Sequence, residues 1–302
     1  MNGFSFKIAT TPPFSFHKCL IYMQRSPLEI SYKIQDNKIT RLLSFSHDEL
    51  PYLIEISSEN DQHIIVTVLN HSTINLLQEQ EIRQYIVEWF DLDRDLQSFA
   101  RLVKQDAFLR ETIEPLLGLR LIGVPDLFEA LCWAIAGQQV NLPFAYRLKA
   151  QLVKQFGEKL IWNDDTYYLF PTAASLVDVT VEQLQLLQFT RAKAQTILRV
   201  AAQINEGSLS RQQLLDLPDY SLAEQRLVQI KGIGPWTANY VRMRCLRDEN
   251  AYLPTDVGLQ KVLAHWLQLP QKPTVMEIEH LFANWRNHSA YITFYLWSTL
   301  YH

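Results

Sequence analysis

The apolar residues of this chain change their spacing once, and that change limits what it can fold into. Up to about residue 90 they alternate or gather in β-branched runs, at 28–34, 39–45, 52–56 and 64–69, between turn residues such as Asp36-Asn37 and Glu59-Asn60-Asp61. A period of two predicts antiparallel strands. Two helical patterns follow or interrupt them, notably 78–90, where Ile82, Ile86, Val87 and Phe90 share a face, and a charged connector at 91–95 marks the preferred boundary. Beyond it nearly every segment repeats at the helical period. A helix is predicted over 126–136, Thr190 caps another over 191–205 with Gly207 as its stop, and Thr274 with Glu277 makes a capping box. The fold class is α+β, a small mixed domain followed by an all-helical body.

Within the body, 227–240 reads Leu-Val-Gln-Ile-Lys-Gly-Ile-Gly-Pro-Trp-Thr-Ala-Asn-Tyr. One helix ends there, Gly232-Ile233-Gly234 supplies backbone free to take positive φ, and Pro235 suits the first position of a second helix running to about Arg247. Such a turn aims unpaired N–H groups and the positive end of a helix dipole outward, which suits a phosphate. Arg226, Lys231, Arg242, Arg244 and Arg247 surround it with no acidic residue in between, so the sequence reads as a basic collar around an anion-binding turn.

The formal net charge of the 302 residues is -4, which argues against an overall basic nucleic-acid binder. The average hides an uneven distribution. Eleven acidic residues stand against two basic ones between Asp48 and Asp95, and the remaining 26 basic and 21 acidic residues leave a positive balance. An acidic front and a basic remainder suggest a division of labour, with the front away from DNA. Cys19, Cys132 and Cys245 are far apart with no Cys-x-x-Cys pair, so neither disulfides nor a cysteine-bound metal or iron-sulfur cluster is expected. Lys7, Pro12-Pro13, His17 and Lys18 break any signal-peptide core, and no run of eighteen apolar residues exists, so the expected location is cytoplasmic, with no membrane partner.

Several residues carry both an ordinary and a chemical reading. Asp256, in Leu-Pro-Thr-Asp-Val-Gly, precedes an apolar-periodic helix at 257–267; it is an N-cap by position and an anionic carboxylate at a helix N-terminus by chemistry. Trp236 and Tyr240 are four apart and share a face, and Tyr291, Tyr295 and Trp297 add aromatics near the C-terminus. They are core residues or a stacking pocket for a flipped base, one carrying positive charge above all. Gly137-Gln138-Gln139-Val140-Asn141 joins two helices; it is a plain loop, or a pair of amides that probes a base pair or fills the gap left by an extruded nucleotide.

The pattern resembles the helix-hairpin-helix base-excision DNA glycosylases, whose signature is a Gly-x-Gly hairpin followed roughly twenty residues later by an aspartate. Within them it is most similar to the bacterial 3-methyladenine DNA glycosylase II branch. The likeness covers most of the chain: Pro-Pro-Phe at 12–14, Phe-Pro-Thr at 170–172, Arg-Ala at 191–192, the hairpin, Leu-Pro-x-Asp at 253–256 and Tyr-x5-Trp at 291–297. It implies an N-terminal antiparallel sheet domain like the TATA-binding-protein repeat over 1–98. A central helical subdomain follows over 126–249, with the hairpin motif at about 220–247, and a second is assembled from 99–125 and 250–302. The active site would lie in the cleft between the two.

The same resemblance implies that Asp256 stabilises an oxocarbenium-like sugar while the N-glycosidic bond of an extruded nucleotide is hydrolysed, leaving an abasic site. Trp236, Tyr240, Trp297 and Gln138 match pocket positions, and Gln139 takes the place of a leucine wedge. Gly232, Gly234 and Thr237 would meet DNA phosphate. No cofactor is required, although main-chain carbonyls of Val228, Ile230 and Gly232 match those that hold a sodium or potassium ion in the family. The implied partner is duplex DNA with alkylated bases of the 3-methyladenine and 7-methylguanine type, met by a monomer associated with the nucleoid when bound. Trp236 occupies the position of the nucleophilic lysine of bifunctional members, so a monofunctional enzyme is expected. Val257 and Gly258 are smaller than the bulky pair of the best-known member, which implies a roomier pocket. A glycosylase for oxidised or deaminated bases and a non-catalytic DNA-binding hairpin module remain alternatives.

Overall fold

A computed structural model describes residues 3–45 and 50–301; Asp48 and Glu49 of the acidic run lie outside the described residues. Strand β1 (Phe4–Ala9) is followed by helix α1 (Phe16–Met23), then β2 (Tyr32–Gln35), β3 (Lys38–Leu43), β4 (Tyr52–Ser57) and β5 (His63–Val68). These five make one antiparallel sheet in the order β1-β5-β4-β3-β2. The β2–β3 turn is Asp36-Asn37, both at positive φ (50° and 58°), as a tight hairpin between twisted strands requires. Helices α2 (Leu76–Trp89), α3 (Gln97–Gln105), α4 (Ala107–Ile113), α5 (Leu127–Gly137) and α6 (Leu142–Phe156) come next. A hairpin, β6 (Lys159–Trp162) and β7 (Asp165–Tyr168), then leads to α7 (Val181–Leu186), α8 (Arg191–Asn205), α9 (Arg211–Leu215) and α10 (Tyr220–Val228). The chain ends with α11 (Pro235–Arg244), α12 (Val257–Trp266), α13 (Val275–Phe282) and α14 (Ser289–Ser298).

The α+β class holds, and the local signals lie where the sequence places them. Thr190 caps α8 through Lys193 N, and Thr274 and Glu277 close their capping box at α13. Two features escape the period reading. Strand β1 carries the alternation Phe4, Phe6, Ile8, and the body contains β6–β7, turned by Asn163-Asp164 at φ 48° and 65°, the same left-handed pair that turns β2–β3. Helix α11 also ends at Arg244 rather than near Arg247, because Arg247 takes φ 61° and breaks the helical run.

Two buried cores position the site. One joins the sheet and α1–α4 to α12–α14 and includes Trp89, Phe99, Trp285, Phe294 and Tyr295. The other fills the space among α5–α11 and includes Leu131, Ile135, Ile197, Leu227 and Val241. The chain thus leaves the first core at α5 and returns to it at α12, and α11 packs on both, with Tyr240 and Met243 in the first and Ala238 and Val241 in the second. Among the described residues no helix is long and apolar enough to cross a membrane. Cys19, Cys132 and Cys245 are free and buried.

A buried ionic cluster fastens the sheet domain to the body. Arg41 of β3 meets Glu129 of α5 at 3.1 Å, and Lys149 of α6 meets Glu29 at 3.0 Å and Glu129 at 3.1 Å. Burial raises the proton affinity of both carboxyls, but Lys149, joined by the Ser31 N–H and Arg25 at Glu29 and by Arg41 at Glu129, outweighs it and leaves both below the usual carboxylate range.

Candidate active site

The hairpin between α10 and α11 is built by sterics. Gly232 sits at φ +102°, and a Cβ there would lie 2.0 Å from Thr196 Oγ1, so conformation and space both demand glycine. Gly234 differs from the sequence expectation. Its φ is -97°, an ordinary value, and an added Cβ would meet nothing within 4 Å, so no contact inside the molecule requires glycine there. It caps α11, leaving main chain bare to the outside just where Pro235 starts the helix. The Thr237 side chain is buried. Its hydroxyl accepts a hydrogen bond from Gln138 Nε2 at 2.9 Å, and Gln138 also donates to the Gly232 carbonyl at 3.1 Å. The amide at the end of α5 is therefore tied across the hairpin.

The basic collar is not a collar. Arg242 donates to Asp248 and Glu224, and Arg247 is paired with Asp91 and Asp93. Arg244 is buried, donating to the Ile122 carbonyl at 2.6 Å and to the Tyr240 hydroxyl at 3.0 Å. Arg226 is engaged by Ser208 and Gln213. Of the five cations only the exposed Lys231 ammonium has no partner among the described residues. The acidic run supplies much of the compensation: Asp91, Asp93 and Glu88 pair with Arg247 and Arg211. Part of the charge asymmetry of the sequence is thus paired inside the fold.

Three helix ends meet at Asp256. Its carboxylate caps α12, Oδ1 accepting from Leu259 N at 2.7 Å. The same oxygen accepts from Trp297 Nε1 of α14 at 2.9 Å, and Oδ2 accepts from Trp236 Nε1 of α11 at 3.0 Å. Two indoles from different elements thus hold one half-buried carboxylate. Their rings and that of Tyr240 lie in a near-parallel series, Trp236 to Tyr240 at 5.7 Å and 25° and Tyr240 to Trp297 at 6.3 Å and 29° between centroids and planes. Gly258 belongs to this geometry. A Cβ there would stand 2.9 Å from Asp256 Oδ1 and 3.6 Å from the Trp297 indole, so the small residue is matched by close approach of that ring rather than by open space.

The C-terminal end of α5 adds the loop. Trp236 reaches it, its ring edge 3.9 Å from where a Cβ of Gly137 would be. Gln139 is exposed and held at φ 54°, a left-handed conformation that turns it outward. Lys193 of α8 donates to the Ala136 carbonyl at 2.8 Å and caps α5 from below. Sequence reasoning did not single out Lys193, and it counted Arg244 in the basic collar, whereas that side chain fixes the Tyr240 hydroxyl. The spacing of Tyr240 and Arg244, four apart on one helix, is the signal that pairs them.

This arrangement has counterparts among known proteins. Residues 132–287 match the model of the HhH-GPD superfamily base excision DNA repair proteins, and residues 13–131 match the 8-oxoguanine DNA glycosylase N-terminal domain. A DNA-3-methyladenine glycosylase of Bacillus subtilis (strain 168) is 40% identical over 289 residues, covering 95% of this chain and 94% of that protein. Among solved structures, a 3-methyladenine DNA-glycosylase from Archaeoglobus fulgidus superposes with a TM-score of 0.81 at 21% identity, over 97% of each chain. The Clostridium acetobutylicum 8-oxoguanine glycosylase/lyase does so with 0.74 at 18%, over 99% of each. The chain belongs to the HhH-GPD superfamily of base excision DNA repair proteins, as a DNA glycosylase.

Proposed function

We propose that the protein extrudes alkylated purines of the 3-methyladenine and 7-methylguanine type from duplex DNA and releases them by hydrolysis of the N-glycosidic bond, leaving an abasic site. The observation that carries this reading is the pair of indole N–H groups on Asp256. They orient the carboxylate without neutralising it, so it can face the positive charge that develops on the sugar as the base departs. An alkylated purine is itself cationic and leaves as a neutral molecule, so no strong general acid is needed. The faces of Trp236, Tyr240 and Trp297 attract such a cation. The B. subtilis relative, matched along nearly its whole length, carries the same substrate in its name.

Trp236 also supports a monofunctional enzyme. An indole nitrogen cannot form the Schiff base through which a lyase cleaves the strand. Incubation with methylated duplex DNA, followed by chromatography of the released bases, tests both parts. Release of 3-methyladenine and 7-methylguanine with strands intact until alkali is the expected result. Strand cleavage by the purified protein overturns the monofunctional assignment, and release of oxidised bases alone overturns the substrate class.

At the DNA side, the main-chain N–H groups of Gly232, Gly234 and Thr237 would take a phosphate, and Gln139 would fill the gap behind the extruded nucleotide. Gln139→Ala is expected to weaken binding to a duplex carrying an abasic-site analogue by about tenfold, with less than about twofold change on undamaged duplex. Equal losses on both remove Gln139 from the wedge role. A sodium or potassium ion on the Val228, Ile230 and Gly232 carbonyls fits the hairpin: Ile230 accepts from Ile233 N and Gly232 from Gln138, and each oxygen retains a lone pair. It would offset phosphate charge when bound.

A further inference from the structure

Tyr240 faces two spaces. Its ring belongs to the aromatic series beside Asp256, and it also walls a partly open chamber of about 40 Å³ between the sheet domain and the body. That volume is too small for a purine ring and large enough for the polar edge of one, since a water-sized group needs roughly 10–15 Å³.

The lining of this chamber holds two buried donor atoms without a partner among the described residues and an arginine with a single hydrogen bond. Arg25, between α1 and β2, lies 4.1 Å over the Tyr22 ring and 5.8 Å from the Tyr146 ring. Its one hydrogen bond among the described residues runs from Nη1 to the Tyr22 carbonyl at 3.1 Å, and no carboxylate pairs with it there. The two unpartnered atoms are the Tyr146 hydroxyl and Arg41 Nε. Arg25, Arg41, Lys149 and Arg244 line the chamber against only Glu29 and Glu129. Both carboxylates are already engaged by Lys149, which leaves the chamber with surplus positive charge and unused N–H and O–H groups. Buried donors of this kind are costly unless an acceptor meets them.

We propose that the chamber receives the far edge of the extruded base and that Arg25 is a specificity-determining residue, selecting purines that carry a keto oxygen on that edge over those that carry an amino group. The inference rests on the alkylpurine reading of the site. In a purine the C6 substituent lies across the ring system from the glycosidic nitrogen, so with the sugar at Asp256 and the ring against Tyr240 it is the C6 edge that reaches furthest inward. A keto oxygen there accepts from Arg25 and Tyr146. An amino group meets the guanidinium of Arg25, which can only donate, with another donor and leaves it unpaired, the mismatch by which hydrogen-bonding sites reject analogues most strongly. The sheet domain thereby supplies part of the base pocket, through a residue outside both the hairpin and the aspartate segment.

The test uses methylated duplex DNA, which carries 7-methylguanine with a keto oxygen at C6 and 3-methyladenine with an amino group there. Both are released in one reaction, so a general loss of activity cancels in their ratio. Arg25→Met is expected to lower the ratio of 7-methylguanine to 3-methyladenine release by about tenfold. Arg25→Gln, which offers the base an acceptor as well as a donor, moves it the same way by about threefold and decides the matter should Arg25→Met not fold. A ratio within twofold of the parent protein in the folded variants overturns the inference, as does a parent protein that releases 3-methyladenine alone. A parent protein that releases neither base overturns the alkylpurine reading and this inference with it.

Discussion

Asp256→Asn is expected to lower base release by about a hundredfold to a thousandfold while leaving the fold and the binding of undamaged duplex in place. The substitution separates the two roles of the side chain. Asparagine caps a helix as well as aspartate does, so the bond from Leu259 N to Oδ1 survives and α12 keeps its start. The charge does not survive, and an amide at the Oδ2 position points a donor at the Trp236 indole where a carboxylate had accepted. Single-turnover release from methylated DNA reads the chemistry, and a filter or fluorescence assay with undamaged duplex reads binding. Base release that persists at the parent rate would remove Asp256 from the reaction and leave a DNA-binding module.

The second large effect is on stability. Lys149→Met should destabilise the protein by about 3–5 kcal/mol, because it strands Glu29 and Glu129 in a buried place without the ammonium that both share. Denaturant unfolding at pH 7 measures the loss. The pH dependence has a definite sign. Lys149 holds both folded carboxyls below the usual range, so their contribution is present above the unfolded-state value, near 4.3, and is lost as pH falls through the lower folded values. The parent protein should therefore lose stability steeply in acid, and Lys149→Met should show a flatter acid limb. An unchanged midpoint at neutral pH would mean that the cluster contributes little net stability.

The features that sequence exposes here are those whose causes are local. Thr190, Thr274 and Asp256 cap helices with backbone groups three residues away, and Gly232 is needed by its own φ. Asp36-Asn37 was legible as a turn because alternating strands flank it. Asn163-Asp164 has the same left-handed geometry and was masked by the helical segments around it. The fate of the arginines is different in kind. Arg247 finds Asp91 at 156 residues' separation, and no window around the hairpin contains that information. The site is mixed in the same way: Trp236 and Tyr240 share a face by spacing, whereas the meeting of Trp297 with Asp256 is a tertiary fact that only the family resemblance anticipated.

The internal pairing of these arginines bears on how lesions are found. A collar of free guanidinium groups would displace many counterions and hold any duplex for long periods. This hairpin instead offers one unpaired lysine, Lys231, and a helix end whose dipole acts only at short range. On the proposed function, contact with undamaged DNA is expected to be brief, and the time spent at a given base pair to be governed by whether its nucleotide leaves the stack and enters the pocket. Inspection becomes a matter of dwell time, in which a damaged base delays departure and an intact one lets the protein move on.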